Sequence, residues 1–243
     1  MSTAAPSLER WESWRAARWR WVSASHGPAA LLTTEWLTAE PRAIDGLPGV
    51  WSAVGGAARS DAGIEVAPGQ EVPHGDAVLR VIERDGAVGL RVFDPASARR
   101  AALTALEAFP YDERWLVPGR FVPAPDGATR VVESVDGYRA ERPHAGAVEA
   151  RIGDEDASLV VSQAADGTLS AVVRDGTSGV ESYRFRFVPI SAPDADGNVV
   201  IDFTRAFSPP CSFSDWFVCP LPAPSNILAT RIEAGEHAPR FAA

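Results

Sequence analysis

The residues of this sequence that could carry out chemistry most readily lie near its C-terminus. Cys211 and Cys219 are eight positions apart, and prolines stand on both sides of the pair. Proline restricts its own backbone and that of the residue before it, so this loop can hold a thiol in one position, as a nucleophile requires. We take Cys211 as the candidate catalytic residue. The other interpretation is burial as a small apolar side chain, which applies with more force to Cys219, between Val218 and Pro220.

Polar residues in and beside the same segment are candidates for binding. An arginine with carboxylates could bind the carboxylate of a substrate, or take part in acid–base chemistry once a carboxyl pKa is shifted. The other interpretation is a structural network in which these groups satisfy one another and the nearby backbone. The candidates in the segment are Asp202, Arg205, Asn226, Glu233 and Glu236, and two more, Tyr111 and Arg120, lie in an aromatic, polar stretch upstream.

Several kinds of chemistry have no support in the sequence. The spacing Cys-x7-Cys, with four histidines scattered elsewhere, matches no structural zinc template, so we predict no metal site. No phosphate-binding or dinucleotide-binding glycine motif occurs, and we predict no cofactor. All 23 basic residues are arginine, which excludes covalent catalysis by lysine. The net charge of −9 argues against a nucleic-acid partner.

The N-terminal sequence and the overall composition bear on where the protein works. The chain lacks the apolar run of roughly 7–15 residues that a signal peptide needs, and no apolar stretch reaches about 18 residues. We therefore expect a cytoplasmic protein without a membrane span, whose cysteines are thiols, although a disulfide between them stays open. The absence of lysine, together with abundant alanine, glycine and proline, suggests a bacterial genome rich in G and C.

Residues 8–24 predict an amphipathic helix. Ser7 can cap its N-terminus, and Glu9 lies in the first turn, where a carboxylate favours the helix dipole. Trp11 and Val22 share one face with Leu8 and two arginines, and further tryptophans form an adjacent face. We expect the tryptophans to hold the helix against a β-sheet. The alternatives are that the helix docks a partner protein or a second copy of the chain, giving a homodimer, or that it lies on a membrane surface.

The remainder of the chain predicts antiparallel β-structure. Short runs rich in Val, Ile and Leu alternate with turn residues, and Asp85-Gly86 marks a hairpin. Residues 129–190 predict a β-meander, residues 198–203 a further strand and residues 226–233 another. The expected fold class is mainly β, with antiparallel sandwich or barrel-like sheets, the N-terminal helix and one short internal helix.

Two boundaries follow from the prolines. Asp94-Pro95 predicts the start of the internal helix, which continues to about Phe109. In the following loop, residues 109–127, four prolines exclude a long helix but permit edge strands. We treat residues 1–243 as a single domain; the alternative is a division into residues 1–125 and 126–243.

Residues 174–187 (RDGTSGVESYRFRF) and 199–237 (VVIDFTRAFSPPCSFSDWFVCPLPAPSNILATRIEAGEH) carry the most specific pattern. They resemble the domain-of-unknown-function family numbered 1684, in which a strand typically ends in Asp-Phe-Asn-Arg-Ala-Tyr-Asn-Pro-Pro-Cys, followed by Cys-Pro-Leu-Pro and a closing Glu-Ala-Gly-Glu. Shorter matches, LRVFDP, FPYDERW and GRF, extend the resemblance from about Val78 onward. The chain departs from the pattern at Thr204, Phe207, Ser208 and His237. Because the family is defined without an activity, the resemblance implies none.

Two functions from different classes follow from these patterns. The leading hypothesis is a small-molecule-binding β-domain, which could be an enzyme, with a site built by residues 201–236 and with Arg205, Cys211 and Asn226 as contact residues. The alternative is a non-enzymatic interaction module that docks a partner or a second copy through the tryptophan-rich helix.

Overall fold

The computed structural model describes residues 7–242 of the chain. Contacts between residues divide the chain into two compact units. Of the described residues, the barrel unit consists of 7–18, Thr104–Ser212 and Val218–Arg240, and the sheet unit consists of Trp19–Leu103, Phe213–Phe217 and 241–242. The expectation that the chain is a single domain stays a prediction.

Helix α1 (Leu8–Ser23) begins where the sequence predicts it. The hydroxyl of Ser7 accepts a hydrogen bond from the backbone N–H of Arg10 at 3.4 Å, which satisfies one of the free donors of the first turn. Trp11 and Val22 are buried, whereas Leu8 is 51% exposed. No helix within residues 7–242 is both long enough and apolar enough to cross a membrane.

The sheet unit contains two antiparallel sheets of four strands each. The first has the order β1-β8-β7-β6 and the second β2-β3-β4-β5. Their apolar side chains, with Trp51 at 0% exposure, form a common core. The strands are β1 (Leu31–Leu37), β2 (Arg42–Ala43), β3 (Val50–Val54), β4 (Ala57–Ser60), β5 (Glu65–Val66), β6 (Glu71–His74), β7 (Ala77–Arg84) and β8 (Ala87–Phe93).

The turn between β7 and β8 is the predicted hairpin. Its two residues, Asp85 and Gly86, both have positive φ, 51° and 83°. This is the conformation of the tight turns that match the twist of paired strands, and Asp and Gly tolerate it better than other residues. The prediction for this hairpin is confirmed.

The internal helix is present but much shorter than predicted. Helix α2 (Ala98–Ala102) is capped by Ser97, whose side chain accepts from the backbone N–H of Arg100. The continuation to Phe109 was wrong, because Leu103–Ala105 forms strand β9 instead and pairs with the C-terminal strand. Pairing with a segment so distant in sequence outweighs the helix propensity of the alanines.

The barrel unit is built around a closed antiparallel barrel of six strands in the order β10-β13-β14-β15-β16-β17. A hairpin, β11-β12, branches off between β10 and β13. The mainly-β prediction is confirmed, and of its two forms the barrel is the one found here. The strands are β10 (Leu116–Pro123), β11 (Thr129–Glu133), β12 (Arg139–Pro143), β13 (Gly146–Ile152), β14 (Glu155–Gln163), β15 (Leu169–Val173), β16 (Arg186–Ile190), β17 (Asn198–Asp202) and β18 (Arg240–Phe241).

Strand β10 explains how a proline-containing stretch becomes part of a closed barrel. Leu116–Arg120 pairs with β17, and Arg120–Pro123 pairs with β13. Each half of β10 therefore pairs mainly with one neighbouring strand. Pro118 has no N–H to donate, and it lies in the half that pairs with β17 alone, so its missing donor breaks no bond to a second strand.

The barrel interior is filled by side chains that alternate along the strands. On β17, Val199 and Ile201 are 3% and 0% exposed, while Val200 between them is 40% exposed. Successive strand residues point to opposite faces, so this pattern directs one set inward. A barrel of six strands is narrow enough for such side chains to occupy its centre.

The segment 226–233 is not the strand that its sequence predicts. Its backbone pairing near β15 consists of an isolated bridge between Ile227 and Arg174 and a few neighbouring backbone bonds. Leu228 and Ile232 are nevertheless buried in the barrel core. The apolar pattern therefore indicates buried side chains and not strand pairing. The prediction of a strand over residues 226–233 was wrong.

A buried ion pair joins the start of strand β16 to the residues that follow β15. The guanidinium of Arg186 donates to the Asp175 carboxylate at 2.7 Å, and each side chain is 1% exposed. The same guanidinium donates to the carbonyls of Ile232 at 3.0 Å and of Ala234. The carboxylate also accepts from the backbone and the hydroxyl of Thr177 at 2.8 and 2.7 Å. These bonds offset most of the cost of burying the two charges, although Nε of Arg186 is itself buried without a hydrogen-bond partner among residues 7–242.

Removing one member of this pair should destabilise the barrel strongly. In Arg186→Met the Asp175 carboxylate stays buried without its cation, so the free energy of unfolding should fall by about 3–5 kcal/mol. Urea denaturation followed by circular dichroism measures the change. The matched control is Arg151→Met, which breaks an exposed pair with Asp156 and should cost less than about 1 kcal/mol. Equal effects of the two substitutions would contradict a dominant role for the buried pair.

Candidate functional site

Three of the predicted binding residues meet at one pocket of the barrel unit. Tyr111, Asp202 and Arg205 line a cavity of about 80 Å³. We call this cavity the Asp202 pocket. Its complete lining is Ser7, Arg10, Trp11, Tyr111, Asp202, Thr204 and Arg205.

Asp202 ends strand β17 and organises the turn that follows it. Its carboxylate accepts hydrogen bonds from the Thr204 hydroxyl and from the backbone N–H of Arg205, the latter at 3.2 Å. Its second oxygen accepts from Nε of Arg205 at 2.5 Å. Asp202 is 3% exposed, whereas the Arg205 side chain is 43% exposed. The carboxylate is therefore satisfied within the protein, and it holds Arg205 at the edge of the pocket.

Tyr111 brings a hydroxyl group that has no hydrogen-bond partner among residues 7–242. The hydroxyl oxygen is buried. Burial raises the pKa of Tyr111, and the negative charges of Glu113 and Asp202 raise it further. The hydroxyl therefore stays protonated near neutral pH and is available as a hydrogen-bond donor.

Trp11 joins the first turns of helix α1 to the Asp202 turn. Its indole N–H donates to the carbonyl of Thr204 at 2.8 Å. Its ring lies 5.8 Å from that of Tyr111, measured between centroids, and the guanidinium of Arg15 lies 5.0 Å from the Trp11 centroid. These contacts place the N-terminal end of the helix at the pocket.

Glu236 lies outside the pocket and anchors the same helix further along. Its carboxylate accepts from Arg18 at 2.7 and 3.0 Å and from the backbone N–H of Ser208 at 2.8 Å. The preceding Gly235 has φ +73°, and a Cβ there would come within 2.4 Å of the Ala206 carbonyl oxygen, so glycine is required. Glu236 has a structural use in this arrangement, and its predicted binding role stays a prediction.

Asn226 is likewise occupied within the fold. Its side-chain oxygen accepts from the backbone N–H of Val160 at 2.7 Å. Its amide donates to the carbonyls of Val160 and Val172 at 2.8 and 2.9 Å. Val160 is on β14 and Val172 on β15, so one side chain bridges two strands. All of its amide hydrogens are used, and nothing in this geometry turns it toward a ligand.

The other predicted residues lie elsewhere. Cys211 is in the turn Pro210–Ser212, and it and Cys219 are buried free thiols, so the burial that we considered for both is observed. Glu233 is exposed beside Arg231, and Arg120 is exposed on β10. Catalysis by Cys211 and binding by these two residues stay predictions. Within residues 7–242 no group of three or more metal-ligating side chains is assembled.

Four residues that line the pocket were not predicted from the sequence as site residues: Ser7, Arg10, Trp11 and Thr204. Thr204 had a signal, because it stands beside Asp202 at a position where it departs from the family pattern. The helix residues had none, since a tryptophan on an apolar helix face is ordinary core material.

The strands and turn that form this pocket lie in a stretch that comparison with known proteins identifies. Residues 101–237, more than half of the chain, match the family model described as "Protein of unknown function (DUF1684)". This chain belongs to the DUF1684 family. The match begins later than Val78, from which the resemblance in the sequence extends.

The DUF1684 stretch contains all the barrel strands and supplies Tyr111, Asp202, Thr204 and Arg205, whereas helix α1 lies outside it. Among solved structures, the solution NMR structure of the uncharacterized protein from gene locus rrnAC0354 of Haloarcula marismortui is similar. It has 32% sequence identity, and the match covers 55% of this chain and 76% of that chain with a TM-score of 0.45. No curated protein matches.

The anchoring role of Glu236 gives a test with a matched control. Glu236→Gln removes the charge that Arg18 and the Ser208 N–H share, so the free energy of unfolding should fall by about 1.5–3 kcal/mol in urea denaturation. Glu233→Gln, at an exposed carboxylate, should change it by less than about 1 kcal/mol. If the two variants were equally stable, Glu236 would not hold the helix.

Proposed function

We propose that this chain binds a small molecule bearing a carboxylate in the Asp202 pocket. The observation that carries the proposal is the buried Tyr111 hydroxyl, which lacks a partner among the described residues. Leaving a buried polar group without a hydrogen bond costs about 1–3 kcal/mol. A ligand oxygen that accepts from this hydroxyl would recover that energy.

The charges around the pocket favour an anion. Arg205 uses Nε for Asp202, and its partly exposed guanidinium can offer its terminal nitrogens to an incoming carboxylate. The N-terminal end of helix α1 lines the same cavity through Ser7 and Trp11, and the backbone N–H groups of a first helical turn attract negative charge. The Asp202 carboxylate already accepts three hydrogen bonds within the fold, so its role is to orient Arg205.

The size of the pocket limits what it can enclose. Its 80 Å³ exceeds the roughly 30 Å³ share of one water molecule but is well below the roughly 300–1,000 Å³ of sites for drug-sized ligands. The cavity therefore suits a carboxylate head group, with the remainder of the ligand outside. The ring of Trp11 offers an apolar wall for the atoms next to the carboxylate.

Titration of the full chain with small carboxylates tests this proposal. Acetate, propionate, malonate and succinate are added to ¹⁵N-labelled protein, with chloride at matched ionic strength as the reference salt. We expect at least one carboxylate, but not chloride, to shift the Trp11 indole N–H signal saturably, because that group lies in the wall of the site. Trp11→Phe assigns the signal.

Paired variants separate the pocket from general attraction to arginine. Tyr111→Phe and Arg205→Gln should each weaken binding about tenfold, the effect of losing roughly 1.4 kcal/mol of hydrogen bonding. The controls Tyr138→Phe and Arg151→Gln, which change the same residue types on other strands and turns, should leave the dissociation constant unchanged. The proposal fails if no carboxylate gives a saturable shift, or if all four variants bind like the unmodified chain.

One observation favours the alternative function, a non-enzymatic module that docks a partner through helix α1. Trp19 and Trp21 on helix α1 are 37% and 46% exposed. Exposed tryptophans are enriched at protein–protein interfaces, where one large ring can supply much of the binding energy. The occupant that this alternative names is a second copy of the chain, giving a homodimer.

Point variants test the homodimer better than deletion of the helix, because Trp11 and Arg18 anchor it. We expect sedimentation velocity over a range of concentrations to give a dimer that the double variant Trp19→Gln, Trp21→Gln weakens at least about tenfold. Leu8→Gln, also exposed but at the other end of the helix, serves as the control. A monomer at every concentration would contradict this alternative.

A further inference from the structure

The β11-β12 hairpin has an exposed face and a partly buried face, and neither lines the Asp202 pocket. Arg130 on β11 pairs directly opposite Arg142 on β12. Both arginines are partly buried, whereas Val131 and Glu141, the next pair along the ladder, are exposed. Because successive strand residues point to opposite faces, Arg130 and Arg142 share the partly buried face, which we call the arginine face.

His144 extends the arginine face by one more position. Its backbone N–H donates to the carbonyl of Ala128 at 2.9 Å, so the pairing of the hairpin continues to these two residues. His144 lies two residues beyond Arg142 and is partly buried like it, which puts the two side chains on the same face. Arg130 is the diagonal neighbour of His144 across the ladder, and such positions are about 7–8 Å apart.

Two buried atoms of this face have no hydrogen-bond partner. Nε of Arg130 and Nδ1 of His144 are enclosed, and neither bonds to any of residues 7–242. Burial lowers the pKa of Arg130, because the guanidinium has lost water around its charge. The one carboxylate of β11, that of Glu133, lies on the exposed face and pairs with Arg139 at 3.7 Å. Arg130 therefore carries a partly desolvated charge without a paired carboxylate among residues 7–242.

We propose that the arginine face binds a phosphate group, with Arg130 as its main contact. The terminal nitrogens of that guanidinium are not enclosed as Nε is, so they can donate to a ligand. A phosphate group carries about −1.5 to −2 charges near neutral pH and three acceptor oxygens, and arginine pairs with it through two parallel N–H donors. Arg142 donates to the carbonyl of Glu141 at 3.1 Å, and it adds positive charge directly opposite Arg130. A bound phosphate would supply the counter-charge that Arg130 lacks.

A cavity beside His144 leaves room for the group that carries the phosphate. Its volume is about 290 Å³, and His144, Thr129 and Pro143 line it together with the turn over residues 124–128. The cavity therefore adjoins the His144 end of the arginine face. Asp126 is the one acidic residue in this lining, so a second negative charge on the ligand is disfavoured there. This arrangement favours a small phosphate monoester without a further negative charge.

Isothermal titration calorimetry of the full chain tests the proposal. The probes are inorganic phosphate and glycerol 3-phosphate in a buffer without phosphate, with chloride at matched ionic strength as the reference salt. We expect at least one probe to bind saturably with one site per chain. Tighter binding of glycerol 3-phosphate identifies a phosphate ester as the ligand, and equal or weaker binding identifies the free anion.

Variants on the two faces of the hairpin provide matched controls. Arg130→Gln and His144→Gln should each weaken binding about tenfold, since each removes a donor to the phosphate. Arg139→Gln changes the same residue type on the exposed face of β12, and His74→Gln changes a histidine on β6. Both controls should leave the dissociation constant unchanged. The proposal is overturned if neither probe binds saturably, or if Arg139→Gln weakens binding as much as Arg130→Gln.

Urea denaturation gives a second measurement that does not depend on a heat signal. Phosphate should raise the urea midpoint of the unmodified chain and of Arg139→Gln, because a ligand that binds the folded state stabilises it. It should raise the midpoint of Arg130→Gln much less. Equal stabilisation of all three chains would show a general salt effect and overturn the proposal. Arg130→Gln should still bind small carboxylates like the unmodified chain, because Arg130 does not line the Asp202 pocket. The two proposals can therefore fail separately.

Discussion

The guanidinium of Arg186, buried inside the barrel unit, determines the course of the C-terminal segment. Three alternate carbonyls of that segment, those of Ile232, Ala234 and Glu236, accept from it, and Asp175 balances its charge. A segment without strand partners needs such bonds, because its backbone groups would otherwise be buried unsatisfied. With its backbone fixed in this way, Glu236 presents its carboxylate to Arg18 of helix α1. The helix in turn brings Trp11 to the Asp202 pocket. The pocket therefore depends on an ion pair that does not line it.

The sequence predicts the parts of the fold that follow from local signals. Asp85-Gly86 can adopt positive φ at low cost, so the hairpin there is determined by two residues. The buried, exposed, buried order of Val199, Val200 and Ile201 likewise comes directly from the alternation of a strand. The end of helix α2 and the irregular path of residues 226–233 depend instead on distant partners. No local sequence pattern indicates those partners. The helix formers after Ala102 predicted a longer helix, and the apolar residues after Asn226 predicted a strand, and both predictions were wrong.

The residues of the candidate site also fall into those that local signals indicate and those that depend on distant contacts. Tyr111, Asp202 and Arg205 could be selected because polar residues beside turns commonly have a function. Trp11 and Thr204 join the site through contacts with residues far away in the sequence. Asn226 shows the converse: the sequence gives no means of telling an amide that contacts a ligand from one that bridges two strands. Its hydrogen bonds to β14 and β15, 66 and 54 residues away, give it a structural use, and its predicted binding role stays a prediction.

The net charge of −9 and the proposed site for an anion are compatible because they act over different distances. At physiological ionic strength the field of exposed charges falls off over about 8 Å, so the total charge mainly affects partners that must approach over a wide surface. A nucleic acid is such a partner, since its affinity depends on many phosphates being neutralised together. The carboxylate that we propose as the ligand would enter a cavity lined by Arg205, Tyr111 and the N-terminal end of helix α1. The acidic residue that lines the pocket, Asp202, is already paired with Arg205. The proposal of an anion site therefore depends on the local arrangement of donors and not on the sign of the total charge.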